Sequence, residues 1–456
     1  MPDTIVALAT PTGRSSIGVI RLSGDDSLAI TRKLTNDDFS PEPRTAHLKQ
    51  LFENGEVLDE AVVTWFKAPH SFTGEDVAEV SCHGSPVVLR RVIDICLNAG
   101  ARMAEPGEFS LRALANGRMD LAEAEAIRDL IEAQTVASAR QAIRQLRGEF
   151  SHELQPIKDA LLDAIVVLES ALEFVEDDLP PAELGGIKVG LESIATEIGA
   201  IADTFKAGKL IREGLKVAIV GRPNVGKSSL FNRLLGTDRA IVTDIAGTTR
   251  DQLHERFTIG DIPISLIDTA GLRDTQDTVE SIGVERSKRT MADADLVVVM
   301  LDASEPVTGD DQIILDSVKD LNHIVAVNKI DLPSAECGVR NAESDDLQLR
   351  TPHSALRISA RTGQGIDELQ QAIVKPFSSE ETATSGFLVS DARHHDLLQR
   401  ARSEIQDSLE LLDKKTSEEI VLIGLHNAMR FLGQITGETT TEDMLTRIFS
   451  TFCIGK

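Results

Sequence analysis

Disulfide frameworks and zinc clusters have little basis in this sequence, which contains only four cysteines among 456 residues. Cys82, Cys96, Cys337 and Cys453 are scattered, and no two of them form a CxxC pair. Closely spaced cysteines are typical of zinc clusters, and an even set in a short secreted chain is typical of a disulfide framework. The cysteine usage argues against both and suits a reducing compartment, so we expect a cytoplasmic protein.

Long apolar segments are also missing. The N-terminal stretch MPDTIVALATPTGRSS has no basic region followed by an apolar core, so no signal peptide is expected. The longest apolar run, LVVVML at residues 296–301, suits a buried strand and is far too short to span a bilayer. We therefore expect no membrane association.

Positive charge is scarce: 47 lysines and arginines face 73 aspartates and glutamates, a net charge of -26. Such a chain repels nucleic acid unless basic residues cluster locally, so charge alone favours a small-molecule or protein partner. Arg140, Arg144 and Arg147 share one helix face and are a candidate cluster, although such a triad is more often a solvated face.

The length exceeds that of one ordinary core and predicts two to four domains. Residues 1–118 mix strand-like runs with a helix near 86–99 and predict an α+β domain. Residues 119–212 and 378–456 have helical patterns, whereas strands and helices alternate through residues 213–377. The simplest interpretation is an α/β domain inserted into a helical domain whose two halves pack together.

Several helices are predicted from their caps and periodicity. Asp120-x-x-Glu123 resembles a capping box, and Leu179-Pro180-Pro181 separates two apolar runs, which predicts an antiparallel helical hairpin. A third run follows the α/β region. The three runs are Leu154, Ile157, Leu161, Ile165, Leu168, Leu172 and Val175; Ile187, Leu191, Ile194, Ile198, Ile201 and Phe205; and Val421, Leu425, Ala428, Leu432 and Ile435.

The alternating region predicts a parallel sheet with ligands at its carboxyl edge, from the strands LKVAIV, IPISLI, LVVVML, IVAVN and LRIS. The first strand leads into GRPNVGKSS, Gly221–Ser229, which matches G-x-x-x-x-G-K-[ST]. Backbone amides of such a loop surround the β-phosphate, Lys227 reaches the β- and γ-oxygens, and Ser228 Oγ ligates Mg²⁺.

Three further motifs follow in the expected order: DIAGTTRD, DTAGLR and NKID. Thr249 in DIAGTTRD is expected to be the second Mg²⁺ ligand, Asp268 in DTAGLR to hold a Mg²⁺-bound water, and the Gly271 amide to meet the γ-phosphate.

In NKID the Asp331 carboxylate can accept hydrogen bonds from guanine N1–H and N2–H₂, and Asn328 braces the loop and contacts the base. Ser359-Ala360 is expected to offer a backbone N–H to guanine O6. Together the motifs predict GTP rather than ATP. The predicted GTP-binding residues are Asn224, Val225, Gly226, Lys227, Ser228, Ser229, Thr243, Asp244, Ile245, Ala246, Gly247, Thr248, Thr249, Asp268, Thr269, Ala270, Gly271, Asn328, Lys329, Asp331, Ser359 and Ala360.

One catalytic group is missing from this set. In Ras-like enzymes a glutamine after the DTAG glycine orients the attacking water, whereas this chain has Leu272. Glu280 and Arg273 are the nearest charged candidates for that work. From spacing alone, a solvated carboxylate at a helix start is the better interpretation of Glu280.

Over its whole length the chain resembles the tRNA-modification GTPase family called MnmE or TrmE. The resemblance rests on PGEFSLRALANGRMDLAEAEAI, GRPNVGKSS, DIAGTTRD, DTAGLR and GETTTEDMLTRIFSTFCIGK, of which the terminal FCIGK is the most specific. It implies a multi-domain α/β and α fold: an N-terminal α+β folate-binding-like domain, a central helical domain and an inserted P-loop GTPase domain of the Ras-like α/β type.

The resemblance also implies how hydrolysis proceeds without the glutamine. Two G domains of a homodimer meet across their switch regions, and K⁺ stands where an arginine finger would. Its carriers would be the Asn224 side chain and backbone oxygens of Thr243, Ile245 and Thr248. Glu280 would take the water-positioning role.

For the N-terminal domain the resemblance implies dimerisation and a tetrahydrofolate derivative in the 5-formyl or methylene form. Glu79, Arg21, Arg118 and Lys456 match its folate positions, although each is equally typical of a surface charge or a strand-end ion pair. Cys453 would serve the modification as a nucleophile, while a cysteine near a terminus is ordinarily a small half-buried hydrophobe. His83-Gly84-Ser85 departs from the family's His-Gly-Gly, which leaves the local backbone torsion open.

The function implied is addition of an aminomethyl-type group to C5 of the wobble uridine in certain tRNAs. An FAD-dependent partner resembling MnmG (GidA) would join the homodimer in a heterotetramer and carry the flavin. Two alternatives remain. A ribosome-assembly or checkpoint GTPase would use GTP only to gate binding, and a plain folate-dependent aminomethyltransferase would leave the G domain unexplained.

Overall fold

The computed structural model describes residues 3–36, 40–173, 181–237, 255–259, 262–267, 294–332, 355–375, 386–414 and 416–455. The chain divides into two compact units. The first unit comprises Met1–Ile131, Ile143–Ala195 and Arg400–Lys456, and the second comprises Glu132–Ala142 and Thr196–Gln399.

Twelve strands and fourteen helices are described. The strands are β1 Ile5–Leu8, β2 Ile17–Ser23, β3 Ala46–Glu53, β4 Glu56–Phe66, β5 Val77–His83, β6 Arg102–Met103, β7 Leu215–Val220, β8 Glu255–Ile259, β9 Ile262–Ile267, β10 Leu296–Asp302, β11 His323–Asn328 and β12 Leu356–Arg357. The helices are α1 Ser27–Thr35, α2 Pro86–Asn98, α3 Glu108–Ala115, α4 Leu121–Glu132, α5 Val136–Leu146, α6 Glu149–Glu173, α7 Pro181–Asp203, α8 Phe205–Glu213, α9 Lys227–Thr237, α10 Gly309–Val318, α11 Ile366–Val374, α12 Ala392–Asp413, α13 Glu418–Thr436 and α14 Glu442–Phe449.

In the first unit a six-stranded sheet has the order β3-β4-β5-β2-β1-β6. All its pairs are antiparallel except β1 with β6. Side chains alternate between its two faces, so Ile20, Val63 and Val80 enter the core with α1 and α2. Arg21 and Glu79, one residue along in each strand, therefore lie on the opposite face. The strands predicted at IGVIRL, EVLDEAVVTWF and DVAEVSCHG and the helix near 86–99 are confirmed.

Helices α4, α6, α7 and α13 confirm the predicted cap and much of the periodicity. The Asp120 amide donates to Glu123 Oε2 at 2.9 Å, and the Glu123 amide donates to Asp120 Oδ1 at 2.7 Å, which completes a capping box. Helix α6 packs against α13, and Lys158 Nζ of α6 lies 2.6 Å from Oε2 of Glu438, two residues after the end of α13. The two halves of the helical sequence therefore meet. The periodic residues buried as predicted are Leu154, Ile157, Leu161, Ile165, Leu168, Ile187, Leu191, Ile194, Ile198, Val421, Leu425, Ala428, Leu432 and Ile435.

In the second unit the sheet order is β12-β11-β10-β7-β9-β8. Neighbouring strands are parallel except β8 with β9, an antiparallel edge pair that the sequence pattern did not predict. Strand β10 is buried along its whole length, as expected for a parallel strand covered on both faces. The carboxyl ends of β7 and β11 lead into GRPNVGKSS and NKID, which brings these two motifs to one edge of the sheet.

Helices in the described ranges are all too short or too polar to cross a membrane.

Candidate functional site

The phosphate-binding loop between β7 and α9 has the backbone that its motif requires. Gly226 has φ +101° and Asn224 has φ +63°, both in the left-handed region. A Cβ on Gly226 would lie 2.2 Å from Asn328 Nδ2, so no side chain fits there. The Lys227 ammonium group donates to the carbonyls of Gly221 at 2.8 Å and Arg222 at 2.7 Å. Ser228 follows, exposed, in the first turn of α9.

Asn328 joins the phosphate loop to the base-recognition loop. Its Nδ2 donates to the Val225 carbonyl at 2.8 Å, and its Oδ1 accepts from the Ala360 amide at 2.9 Å. The side chain is only 2% exposed, so both hydrogen bonds are sheltered from water and leaving either partner unpaired would be costly. Asn328 therefore links the P-loop backbone to the backbone of the loop at Ala360.

Two other residues of NKID, Lys329 and Asp331, also have side-chain partners. Ser359 Oγ donates to Asp331 Oδ1 at 2.7 Å, and the Asp331 side chain reaches solvent at the sheet edge. Lys329 Nζ lies 2.5 Å from Asp302 Oδ2. Burial opposes ionisation of Asp302, but hydrogen bonds from Lys329 and Ser304 outweigh it and hold the pKa of Asp302 below its usual range.

Two arginines, of which one lies outside the nucleotide-binding motifs, hold these loops through side-chain hydrogen bonds. Arg222 Nε donates to Asp311 Oδ1 at 2.7 Å, and Asp311 also completes the capping box with Thr308 at the start of α10. Arg233 of α9 donates from Nε to the Ala360 carbonyl at 3.1 Å. The partners are 89 and 127 positions apart in sequence, so no local pattern could have indicated them.

Part of the predicted nucleotide site lies outside the described residues, and those assignments remain predictions. They are Thr243, Asp244, Ile245, Ala246, Gly247, Thr248, Thr249, Asp268, Thr269, Ala270, Gly271, Leu272, Arg273 and Glu280.

In the first unit, Arg21 and Glu79 are cross-strand partners on β2 and β5. Arg21 Nε donates to Glu79 Oε1 at 2.9 Å, and its guanidinium carbon lies 5.3 Å and 5.7 Å from the ring centroids of Phe72 and Phe109. Arg21 Nη1 donates to the Gly455 carbonyl at 3.3 Å. An ion pair between these residues is thus present, within β2 and β5 rather than at their ends. The C-terminal segment lies beside it.

That C-terminal segment is held by several backbone contacts. Ile454 forms a β-bridge with Pro106, and the Gly107 amide donates to the Cys453 carbonyl at 3.4 Å. A Cβ on Gly455 would lie 2.4 Å from the Leu8 carbonyl, so the backbones are in close contact. The structure therefore brings the exposed Cys453 into the neighbourhood of Arg21 and Glu79.

The other described cysteines differ from Cys453. Cys82 and Cys96 are buried in the core of the N-terminal sheet. Burial raises the pKa of both thiols to about 12. They are therefore protonated and shielded at neutral pH, whereas the Cys453 thiol is open to solvent.

The remaining predicted folate residues are less closely assembled. Arg118 is exposed, with its side-chain stem over Gly74, and Lys456 lies outside the described residues. Ser85, which replaces the family glycine, precedes α2 with φ −79°, a torsion open to any residue. The serine therefore does not strain the backbone there.

A buried arginine supports this part of the fold and was missed from sequence. Arg112 is 1% exposed, and its guanidinium group contacts the carboxylates of Asp3, Glu75 and Glu108. Burial disfavours its charge, but Glu108 and Glu75 outweigh that cost and raise the pKa of Arg112. Arg112 therefore ties α3 to both the chain start and the turn before β5.

No cluster of three histidine, cysteine or acidic side chains is placed to hold a metal ion in the parts of the chain described. Of the two predicted Mg²⁺ ligands, Ser228 lies among the described residues and Thr249 lies outside them.

The structure combines a P-loop, the buried Asn328 contacts and the hydrogen-bonded Asp331–Ser359 pair at the carboxyl edge of a parallel sheet. This arrangement is that of a P-loop protein of the GTPase class. Residues 4–118 match the family model "GTP-binding protein TrmE N-terminus", and residues 121–453 match "MnmE helical domain". The chain belongs to the MnmE family of tRNA modification GTPases.

Curated relatives carry the name tRNA modification GTPase MnmE. The protein of Aquifex aeolicus is 44% identical over 458 residues, and that of Koribacter versatilis is 44% identical over 462 residues. In both cases the alignment covers 100% of each chain. Among solved structures, the G domain of the T. maritima FeoB iron transporter is 31% identical, covers 35% of this chain and 97% of its own, and has a TM-score of 0.26. The family assignment rests on the full-length relatives.

Proposed function

We propose that this chain is a K⁺-dependent GTPase that acts on tRNA together with an FAD-dependent MnmG-like partner. The pair would add an aminomethyl-type group to C5 of the wobble uridine in certain tRNAs. Family membership supports tRNA as the substrate. GTP hydrolysis, coupled to the meeting of two G domains in a homodimer, would drive a rearrangement that the modification requires.

The described half of the nucleotide site fits GTP. The P-loop amides and Lys227 would hold the phosphates, Asp331 would accept from the base, and Ser228 with Thr249 would hold Mg²⁺. Asn224 lies exposed at a left-handed position of the P-loop, so its side-chain oxygen is accessible to K⁺ beside the phosphates. The backbone oxygens of residues 243, 245 and 248 would complete that site, and Glu280 would orient the attacking water.

The observation that carries the proposal beyond a GTP switch is the position of the C-terminal segment. The exposed Cys453 lies two residues from Gly455, whose carbonyl accepts a hydrogen bond from Arg21. A GTPase that only gated binding would need no cysteine-bearing segment held against an arginine–carboxylate pair in the N-terminal domain. The arrangement supports covalent chemistry at the N-terminal domain.

The N-terminal site has suitable groups for a tetrahydrofolate derivative, which would supply the one-carbon unit when bound. Glu79 would accept hydrogen bonds from the donor edge of the pterin, and its side chain is 28% exposed. Arg21, Arg118 and Lys456 would offer cations to the glutamate tail. Cys453 would approach the transferred carbon as a thiolate nucleophile.

The same sheet face has apolar side chains suited to the proposed homodimer. Leu48 and Val62 are cross-strand partners on β3 and β4. Ile17 lies on β2 four residues from Arg21, on the same face because side chains alternate along a strand. Leu48 and Ile17 are 65% and 60% exposed. Burying them against a second copy would remove apolar surface from water.

The decisive experiment replaces Cys453 by serine and measures the wobble uridine of cellular tRNA by mass spectrometry, in a strain whose only copy is the variant. We expect the modified nucleoside to disappear while GTP turnover by the purified variant stays within about twofold of the wild type, because the thiol is outside the nucleotide site. Ser450→Ala, an exposed change in the same segment, is the matched control and should modify tRNA normally.

Normal modification by Cys453→Ser would contradict an essential thiol. Normal modification in a strain lacking this chain altogether would overturn the proposed function and favour the ribosome-assembly or checkpoint alternative.

A further inference from the structure

The base-recognition loop, residues 359–364, is a compact turn held by hydrogen bonds between its own residues. The Ser359 amide donates to the Gln364 carbonyl at 2.9 Å, and the Gly363 amide donates to the Ser359 carbonyl at 2.9 Å. The Thr362 amide donates to Ser359 Oγ at 3.1 Å. Gly363 has φ +91°, which favours glycine. The carbonyls of the two residues between Ser359 and Thr362 are bound from outside the turn.

Arg233 makes those outside contacts. Its Nε donates to the Ala360 carbonyl at 3.1 Å, and its Nη2 donates to the Arg361 carbonyl. Arg233 belongs to α9, the helix that begins at the P-loop Lys227. A guanidinium group is a rigid planar fork, so two bonds to successive carbonyls fix the orientation of both peptide planes.

The orientation of one of these planes bears directly on the base. The Ala360 carbonyl and the Arg361 amide belong to the same planar trans peptide and point in opposite directions. The Ala360 amide already donates to Asn328 Oδ1 at 2.9 Å, whereas the Arg361 amide has no intramolecular acceptor among the residues described. When Arg233 holds the Ala360 carbonyl, it also sets the direction of this available N–H.

We propose that Arg233 is a positioning residue for guanine recognition. It holds the 360–361 peptide so that the loop presents the Arg361 backbone N–H to guanine O6. This donor is one position beyond the Ser359-Ala360 pair predicted from the sequence, because the Ala360 amide donates to Asn328 Oδ1. It thereby couples the phosphate-binding helix to discrimination at the six-position of the base. This inference rests on the guanine-nucleotide site of the proposed function, and on none of the tRNA chemistry.

The test compares three diphosphates that probe separate edges of the base. GDP has O6 and the N2 amine. 6-Thioguanosine diphosphate keeps N1–H and N2–H₂ but has sulfur, a weak acceptor, in place of O6. Inosine diphosphate keeps O6 but lacks the N2 amine that Asp331 would accept from. Dissociation constants are measured by calorimetry for the full-length wild type and for Arg233→Met, which keeps an unbranched apolar stem and removes every donor.

We expect Arg233→Met to bind GDP about tenfold more weakly while its affinity for the thio analogue changes by less than about twofold. The preference for GDP over inosine diphosphate should stay as in the wild type, because Asp331 is untouched. Arg233→Lys, which replaces the fork by a single ammonium group, should fall between. Arg357→Met, an exposed arginine on β12, is the matched control and should leave all three affinities unchanged.

An equal loss for all three nucleotides would show that Arg233 only stabilises the domain and would overturn the proposal, as would an unchanged preference for GDP over the thio analogue. A wild type that distinguishes none of the three nucleotides would instead remove the guanine site on which the proposal rests. Circular dichroism of each variant shows whether the domain remains folded.

Discussion

At the residue scale, guanine preference is expected to depend on Asp331. Ser359 Oγ donates to one of its carboxylate oxygens, which fixes the side chain and leaves the other oxygen for the base. A carboxylate can only accept hydrogen bonds, so it matches the two donors of guanine and no pair of groups on adenine. An amide at this position would present one donor and one acceptor instead.

Asp331→Asn should therefore weaken GDP binding by about 10² or more, because hydrogen bonds to a charged group contribute about 1.5–3 kcal/mol each. Binding of xanthosine diphosphate, which has an oxygen where guanine has its N2 amine, should improve. Competition binding with both nucleotides measures the change. Asp320→Asn, an exposed aspartate in the same domain, is the control, and an unchanged preference in Asp331→Asn would refute the assignment.

The sequence was informative at this scale wherever a motif is contiguous. The P-loop glycines, Lys227, Asn328 and Asp331 were all predicted from short patterns, and the structure brings them to one sheet edge. Arg233 and Arg112 were not predicted, because their partners lie far away in sequence: Arg112 is 109 residues from Asp3. An arginine on a helix has the same sequence appearance whether it faces solvent or a distant carbonyl.

At the element scale, α8 is tightly packed against the chain that leaves the α/β region. A Cβ on Gly208 would lie only 2.2 Å from the Val389 carbonyl oxygen. On either side, Thr204 Oγ1 accepts from the Val389 amide at 3.0 Å, and Arg212 Nη1 donates to Asp391 Oδ2 at 2.7 Å. Entry to and exit from the α/β region are thus joined at one place in the second unit.

Gly208→Ala should destabilise the second unit by about 2 kcal/mol, since backbone atoms must move apart to admit the methyl group. The midpoint of urea unfolding is the measurement. Gly190→Ala is the matched control: Gly190 is an exposed glycine in α7 with open space around its missing Cβ. That change should stabilise the helix by about 0.5–1 kcal/mol. Equal midpoints for the two variants would contradict the close packing at Gly208.

Helices and strands with strong apolar periodicity could be predicted from the sequence. The elements that they pack against could not. The apolar stripe of α13 was evident in sequence, but a stripe does not name the surface that covers it. The structure places α6 against α13, two helices separated by the whole α/β region. Three strands had no clear sequence pattern: the short strands β1 and β6 and the antiparallel edge strand β8. Each contains too few residues to show an alternation of apolar and polar side chains.

At the scale of the whole molecule, the negative charge bears on how tRNA is bound. Of the candidate basic triad, Arg144 Nε donates to Glu149 Oε2 at 2.9 Å, which partly neutralises it. Arg140 and Arg147 remain exposed on α5 and in the turn after it. A chain with net charge -26 gains little long-range attraction from so few cations. The proposed partner is therefore expected to supply much of the positive surface.

GTP hydrolysis by the assembled protein is expected to depend on K⁺. With Leu272 in place of the water-orienting glutamine, charge on the transition state must be stabilised by another group, and an arginine finger in comparable enzymes contributes about 10³–10⁵ in rate. If K⁺ held by Asn224 does this work across two G domains, GTP turnover in KCl should exceed that in NaCl at equal ionic strength by at least about tenfold. Turnover per molecule should also rise with protein concentration.

Asn224→Ala separates this explanation from a general salt effect. It should lose the difference between KCl and NaCl while retaining GDP affinity, because the proposed side-chain contact is with the cation and the P-loop amides still hold the phosphates. Equal turnover of the wild type in both salts would refute cation activation. A separate activating protein would then have to supply the catalytic group that Leu272 cannot provide, which is how a checkpoint GTPase would be controlled.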